Sequence, residues 1–207
     1  MNLFARSLGI PLDLEQAVHA FADAQVRDVD VASANGRVFI HQYSVGLHAK
    51  LVKTREAMDF GSRLGKIRAS IRAAFDALAR PPSMRVKLDM SGTVLEARTS
   101  GIGVTNNLFG EGHLPYADDP AGGTLGVYIT TSRSRGQLLI FMLNMLIGRW
   151  QRNPQVEIHE TQELKLSFSR VHKRHRCVID GELGPVENPT TIRIHAGALK
   201  VLAPAQT

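Results

Sequence analysis

A chain of 207 residues with 43% hydrophobic and 21% charged residues has the composition of a globular protein with a real core, which excludes disorder and collagen-like order. Its single cysteine, Cys177, excludes an intramolecular disulfide and argues against a cysteine zinc site. The formal net charge of +6 favours anionic partners, either nucleic acid or an acidic membrane surface, and charge alone does not choose between them.

The first elements are helical. Asn2 can cap a turn through Leu8 that Gly9 stops, and Leu3, Phe4 and Leu8 give that turn an apolar face with nothing before it to pack against. Such a bare face makes self-association into a homodimer plausible. A second short helix opens at an Asp13 cap after Pro11, with Leu14, Val18 and Phe21 on one face. The period then changes: Val29, Val31, Val38 and Ile40 flank Asn35-Gly36, a pair that closes tight hairpins because both residues tolerate positive φ.

A helical zone from about Ala49 to Arg80 carries Ile67, Ile71, Ala74, Phe75 and Leu78 at helical spacing and ends at Pro81-Pro82. Strand texture follows. Val86, Leu88 and Met90 alternate up to Ser91-Gly92, and Val94 to Ala97, Ile102 to Thr105 and Leu125 to Ile129 are further strands. Gln137 to Ile147 is a helical insertion. The tail returns to strands at Val156 to His159, Glu163 to Phe168, Cys177 to Ile179, Thr191 to Ile194 and Leu199 to Leu202. Many short strands with turns between them predict an α+β fold, a mainly antiparallel β-sandwich-like domain with a few helices. The opening Met1 to Arg6 shows no signal-peptide pattern, and the apolar stretch Leu138 to Ile147 is shorter than the roughly 20 residues of a spanning helix. A soluble, cytoplasmic protein is expected.

An ordered series of short motifs resembles the diacylglycerol kinase and sphingosine kinase superfamily. Asn2 to Pro11 resembles the segment after that family's glycine-rich nucleotide loop, where a Gly-Thr-x-Asn element leads into a helix ending Leu-Gly-Ile-Pro. Val29-Asp30-Val31, Asn35-Gly36, Phe39, Ser44-Val45-Gly46-Leu47 and Gly65-Lys66 follow in family order. Val104-Thr105-Asn106-Asn107, Gly110-Glu111-Gly112, Leu114 to Ala117 and Gly122 to Val127 come next, before Val178-Ile179-Asp180-Gly181-Glu182 and Ala198 to Leu202. Each piece alone is weak, and the series covers nearly the whole chain. The family's N-terminal lobe, with its Gly-Gly-Asp-Gly-Thr loop, has no counterpart. The resemblance thus implies a helical segment over residues 1–27, left over from an α/β nucleotide-binding lobe, and a β-rich lipid-kinase domain over residues 28–207.

What the resemblance implies chemically is an ATP- and Mg2+-dependent kinase that transfers a phosphoryl group to a lipid hydroxyl such as that of diacylglycerol. This chain would be the lipid-binding and catalytic-base lobe, inactive alone. Asp180 and Glu182 are the hydroxyl-activating pair, either of which could be the base; residues two apart on a regular strand share a face. By spacing alone, the same triplet is a hairpin turn with solvated acids. Asn2 and Asp30 match family positions near the nucleotide, though a helix cap and a strand-end aspartate describe them equally well. Asn106 matches a family asparagine and could instead only satisfy buried backbone groups. Two positions depart from the family: Leu3 stands where many members have an acid, and Gly122 where they have the aspartate that helps hold a structural magnesium. Asp118 and Asp119 could supply oxygen ligands in compensation, or form an ordinary turn before Pro120.

Other features carry less. The histidines lack ligand spacing, and His159, His172 and His175 read as surface groups; Ser44 and Ser167 lack a nucleophile-elbow context. The run Arg170 to Arg176 could touch anionic lipid headgroups or be a solvated hairpin tip. Leu138 to Ile147, with Arg149, Trp150 and Arg152 behind it, fits an interfacial helix or core. No helix-turn-helix, zinc-finger or aromatic RNA-binding signature accompanies the charge, so nucleic acid is not an expected partner. The expected partners are a lipid substrate and, peripherally, an anionic membrane surface; the alternative to the kinase is a non-catalytic basic module on such membranes.

Overall fold

The computed structural model describes residues 2–56, 82–110, 114–131, 134–146, 148, 153–170 and 175–205. The chain opens with helices α1 (Leu3–Ser7) and α2 (Leu14–Ala20), followed by strands β1 (Gln25–Ala34), β2 (Arg37–Phe39) and β3 (Gln42–Gly46) and helix α3 (Leu47–Glu56). Then come β4 (Met84–Met90), β5 (Thr93–Thr99), β6 (Gly101–Asn106), β7 (Leu125–Thr130) and helix α4 (Arg135–Leu146). The tail holds β8 (Val156–Thr161), β9 (Glu163–Phe168), β10 (Arg176–Ile179), β11 (Glu182–Pro185) and β12 (Thr190–Ala203). Ile67, Ile71, Ala74, Phe75 and Leu78 of the expected long helical zone lie outside the described residues, as do His172, Arg149, Trp150 and Arg152.

Two antiparallel six-stranded sheets form a sandwich, in the orders β2-β1-β12-β9-β4-β5 and β11-β10-β3-β6-β7-β8. Alternation drives this: along β4, Met84, Val86, Leu88 and Met90 are buried while Arg85 and Lys87 are exposed. The inward rows meet in one core. Val86, Leu88, Leu164, Leu166 and Ile192 of the first sheet face Val45, Ile102, Val104, Val127 and Ile179 of the second. Paired residues at positive φ close the tight hairpins, at Asn35 and Gly36, Ser91 and Gly92, and Asp180 and Gly181. The second sheet is also covered outside: Ala49 and Val52 of α3 pack on Val178, and Leu138 and Phe141 of α4 meet Leu47. Strand β7 is buried on both faces, Tyr128 packing outward with Phe109 and Val156.

The structure corrects three expectations. Thr191 to Ile194 and Leu199 to Leu202 belong to one strand, β12, pairing with β1 along its length across a bulge between Val29 and Val31. Asn2 lies at φ 49°, ψ 45° and its side chain makes no capping bond; only its carbonyl joins α1, accepting the Arg6 N–H at 3.1 Å. The α1 face is not bare, because Leu8 is 5% exposed and packs with Phe4 and Ile10 against Val29 and Ala203. The uncovered apolar face belongs to α2, where Leu14 is 80% and Val18 64% exposed. Asp13 does cap that helix, accepting the Gln16 N–H at 3.0 Å.

Helix α4 carries a cap the chain-order reading passed over. Ser134 Oγ accepts the Gln137 N–H at 3.2 Å and Gln137 Oε1 accepts the Ser134 N–H at 3.1 Å, a capping box. Leu138 and Phe141 are core, whereas Leu139, Ile140 and Leu143 are exposed. Among the described residues no helix is long and apolar enough to cross a membrane.

Candidate active site

One end of the sandwich gathers most of the polar residues singled out above. Asp180 occupies the first position of the β10–β11 loop at φ 48°, a conformation that favours Asp, Asn or Gly. Its carboxylate turns back onto the chain entering β3: Oδ2 accepts the Ile40 N–H at 2.8 Å, and Oδ1 accepts those of His41 and Gln42, each at 3.0 Å. The backbone reciprocates, the Asp180 N–H donating to the Gln42 carbonyl at 2.9 Å. Asp180 is thus a loop residue, not a strand residue, and it does not share a strand face with Glu182.

Glu182 begins β11, opposite Ile179. Its Oε2 accepts from Arg37 Nη2 at 2.8 Å, and its side chain is 78% exposed. Its other carboxylate oxygen has no protein donor among the described residues. The two acids therefore differ in availability: Asp180 is saturated by three backbone donors, while Glu182 is open to a ligand.

Asp30 sits at the β1 bulge, 1% exposed. Its Oδ2 accepts the Gly123 N–H at 2.7 Å and its Oδ1 the Gly197 N–H at 2.8 Å, while its own N–H donates to the Pro120 carbonyl at 2.9 Å. The buried carboxylate ties the loop before β7 to the bulge of β12. Asn106 lies beside it. Its Nδ2 donates to the Asp30 carbonyl at 2.8 Å and to the Ile40 carbonyl at 3.2 Å, and its backbone N–H donates to the His41 carbonyl at 3.0 Å. That is the backbone-satisfying role, although its buried Oδ1 lacks a donor among the described residues. The segment 40–42 is thereby held from both sides, by Asp180 and by Asn106.

Asp118 and Asp119 are exposed on the loop that leads to Pro120. Asp119 Oδ1 accepts the Ala121 N–H at 2.9 Å, an ordinary turn, and the Asp118 carboxylate lies over Gly110, where a Cβ would have no room. No group of three acid, histidine or cysteine side chains capable of holding a metal occurs among the described residues. Among the described residues, the donors beside Gly122 thus form no carboxylate cage for magnesium. Nor do they fit a triphosphate cradle: Gly101 and Gly103 pair within β6, as their strand-like surroundings predict.

Histidines missed by the sequence reading border the site. His41 stacks on Phe109 at 5.1 Å between ring centroids, and Phe109 on Tyr128 at 5.7 Å. Burial holds the His41 imidazole below the usual histidine range, an effect the nearby Asp180 carboxylate partly offsets. His48 Nδ1 lies 2.6 Å from Ser44 Oγ and 3.4 Å from Gln42 Nε2. Burial lowers its pKa, with the Arg55 and His41 charges acting in the same direction. Tyr128 donates no charge here; burial pushes its phenol up to about 12 while its oxygen accepts the Phe109 N–H at 2.8 Å. The available signal was spacing: Ser44 and His48 are four apart across a strand–helix junction.

The sandwich has known counterparts. Residues 42–203 match the YegS C-terminal NAD kinase beta sandwich-like domain. The chain belongs to that family. It is a kinase-family domain by fold. A solved structure of a diacylglycerol kinase from Bacillus anthracis superposes on the YegS-type domain with a TM-score of 0.64 at 18% identity, covering 96% of this chain and 62% of that one. A second Bacillus anthracis chain gives a TM-score of 0.69 at 20% identity, with coverages of 96% and 64%. Yeast NADH kinase, solved with NADH, gives 0.50 at 8% identity, covering 95% of this chain and 50% of its own. The YegS-type chain thus spans under two thirds of the length of these solved relatives.

Proposed function

We propose that this domain is the acceptor-side lobe of an ATP-dependent lipid kinase that phosphorylates a lipid hydroxyl such as that of diacylglycerol. In this reading a further lobe holds ATP, with any Mg2+ bound alongside the nucleotide, and the 207 residues alone are inactive. The observation that carries the proposal is the Asp180-Gly181-Glu182 hairpin, which fixes one acid in the backbone and leaves the other open at the same sheet end.

The division of labour follows from hydrogen bonding. Asp180 is a positioning residue, because its three backbone bonds lock residues 40–42 and with them the His41 side chain. Glu182 is the proton acceptor. As the lipid oxygen attacks the terminal phosphorus of ATP, a new P–O bond forms, the bond to the bridging oxygen of ADP breaks, and the hydroxyl proton passes to Glu182. Arg37 holds one oxygen of that carboxylate and leaves the other for the substrate. What supports Glu182 over Asp180 is that it has an oxygen without a protein donor.

The test uses a polypeptide carrying this domain together with a glycine-rich nucleotide lobe, assayed with ATP, magnesium and diacylglycerol in mixed micelles. Phosphatidic acid is the expected product, and Glu182→Gln is expected to lower its rate at least a hundredfold. Absence of transfer to any lipid alcohol from the wild-type polypeptide would overturn the reading. The substrate side implies peripheral contact with a membrane, since diacylglycerol resides there.

A further inference from the structure

At the opposite end of β3 and β10 from Asp180, the sandwich opens. Arg176 and Asp180 are four residues apart along β10 and its loop, about 13 Å at the rise of an extended strand. Here two adjoining clefts, of about 380 and 280 Å3, share Ser83, Met84 and His175. Their inner wall is the buried edge of the core, Val45 of one sheet with Met84 and Phe168 of the other, none more than 9% exposed, and half-buried Val186 beside them. Their rim is cationic, carrying Lys53, Arg85, Arg170 and Arg176. No aspartate or glutamate lines either cleft among the described residues.

Among the described residues, some exposed cations of the domain are paired with acids and others, such as Lys87, Arg98 and Lys165, are not. Arg37, Arg193 and Lys200 each reach a carboxylate, at 2.8, 3.0 and 2.7 Å. Lys53, Arg85, Arg170 and Arg176 enter no ion pair among the described residues. Arg85 also faces Arg98 directly across the β4–β5 pair, a cross-strand arrangement of like charges that costs stability. Arg98 is turned by its Nε donating to Ser83 Oγ at 2.8 Å, on the same rim. Uncompensated cations around an apolar slot match one ligand chemistry, an anionic head on an alkyl tail.

We infer that this cleft is a second lipid site, distinct from the acceptor site, that binds a single acidic phospholipid with its phosphate at Arg85 and Arg170 and its chain against Met84, Phe168 and Val186. The size suits a headgroup and the first part of a chain, since ligand sites of this kind begin at about 300 Å3. Each basic contact to an acidic lipid contributes about fivefold in affinity, and the effect is screened by salt.

The test needs neither ATP nor turnover, so it stands or falls independently of the kinase reading. Calorimetric titration of the 207-residue chain uses lysophosphatidic acid below its micelle concentration, lysophosphatidylcholine of the same chain length, and inorganic phosphate. Lysophosphatidic acid is expected to bind at least tenfold more tightly than either of the others. Arg85→Ala with Arg170→Ala is expected to weaken it about 30-fold, while Arg193→Ala with Lys200→Ala, which removes the same charge elsewhere, changes it less than twofold. Circular dichroism melts confirm that both variants are folded. Equal binding of phosphate would make the site a simple anion site, and equal binding of lysophosphatidylcholine a detergent-like surface. Equal losses in the two double variants would reduce it to net charge, and no loss in the first would remove it altogether; each of these overturns the inference.

Discussion

Asp180 holds His41 in place through the backbone: its Oδ1 accepts the His41 N–H at 3.0 Å, while its other bonds go to the neighbours on either side. The acid of the loop and the backbone of the facing segment are thus one unit. Replacing Asp180 by alanine removes three acceptor contacts and a residue suited to positive φ. A loss of about 2 kcal/mol is expected in urea denaturation, together with loss of lipid phosphorylation in the two-lobed polypeptide. Asp180→Asn keeps one acceptor oxygen and is expected to lose about half as much stability.

Glu182 is expected to behave in the opposite way. Its pair with Arg37 is exposed, with side-chain exposures of 78% and 49%, so Glu182→Gln should shift stability by less than about 0.5 kcal/mol. Parallel thermal melts and phosphoryl-transfer rates separate the two acids: one variant unstable, the other stable and inactive.

Asp30→Asn places an amide where two backbone N–H groups converge in a site that is 1% exposed. At best one donor keeps its acceptor. The expected cost is about 2–4 kcal/mol by urea denaturation, with no gain on adding magnesium.

The histidine pair predicts a pH dependence. His48 has its pKa lowered in the folded state by burial, and His41 likewise. The unfolded chain then binds more protons than the folded one once the pH drops below about 6.5, and stability falls with pH in that range. The contribution is fully present above that pH and is lost as the pH falls through the lowered folded values. His48→Gln is expected to flatten this slope, read as urea midpoints at several pH values between 7.5 and 5.

Leu8 and Leu14, six residues apart in sequence, test the N-terminal packing. Leu8 is 5% exposed against Val29 and Ala203, so Leu8→Ala should cost about 2–4 kcal/mol. Leu14 is 80% exposed on α2, and Leu14→Ala should change stability by less than about 0.5 kcal/mol. If sedimentation shows a dimer of the chain, Leu14→Glu with Val18→Glu is expected to dissociate it, because the uncovered apolar face lies there.

The sequence by itself determined the sandwich, since period-two rows such as Val86, Leu88 and Met90 state which face is inward, and pairs such as Asn35-Gly36 state where the chain reverses. It also identified Asp180 and Glu182 as neighbours in one turn. Tertiary structure alone decided what each acid touches, because a hydrogen-bond partner is a matter of three-dimensional approach. Residues 40–42, some 140 positions away, saturate Asp180, whereas Arg37 engages only one oxygen of Glu182. The same holds for Asp30, whose donors Gly123 and Gly197 are remote in sequence, and for the merging of two short tail strands into β12. The cationic cleft was legible only in part. Arg170 and Arg176 lie in one basic run, but Lys53 of α3 and Arg85 of β4 join them only through the tertiary fold.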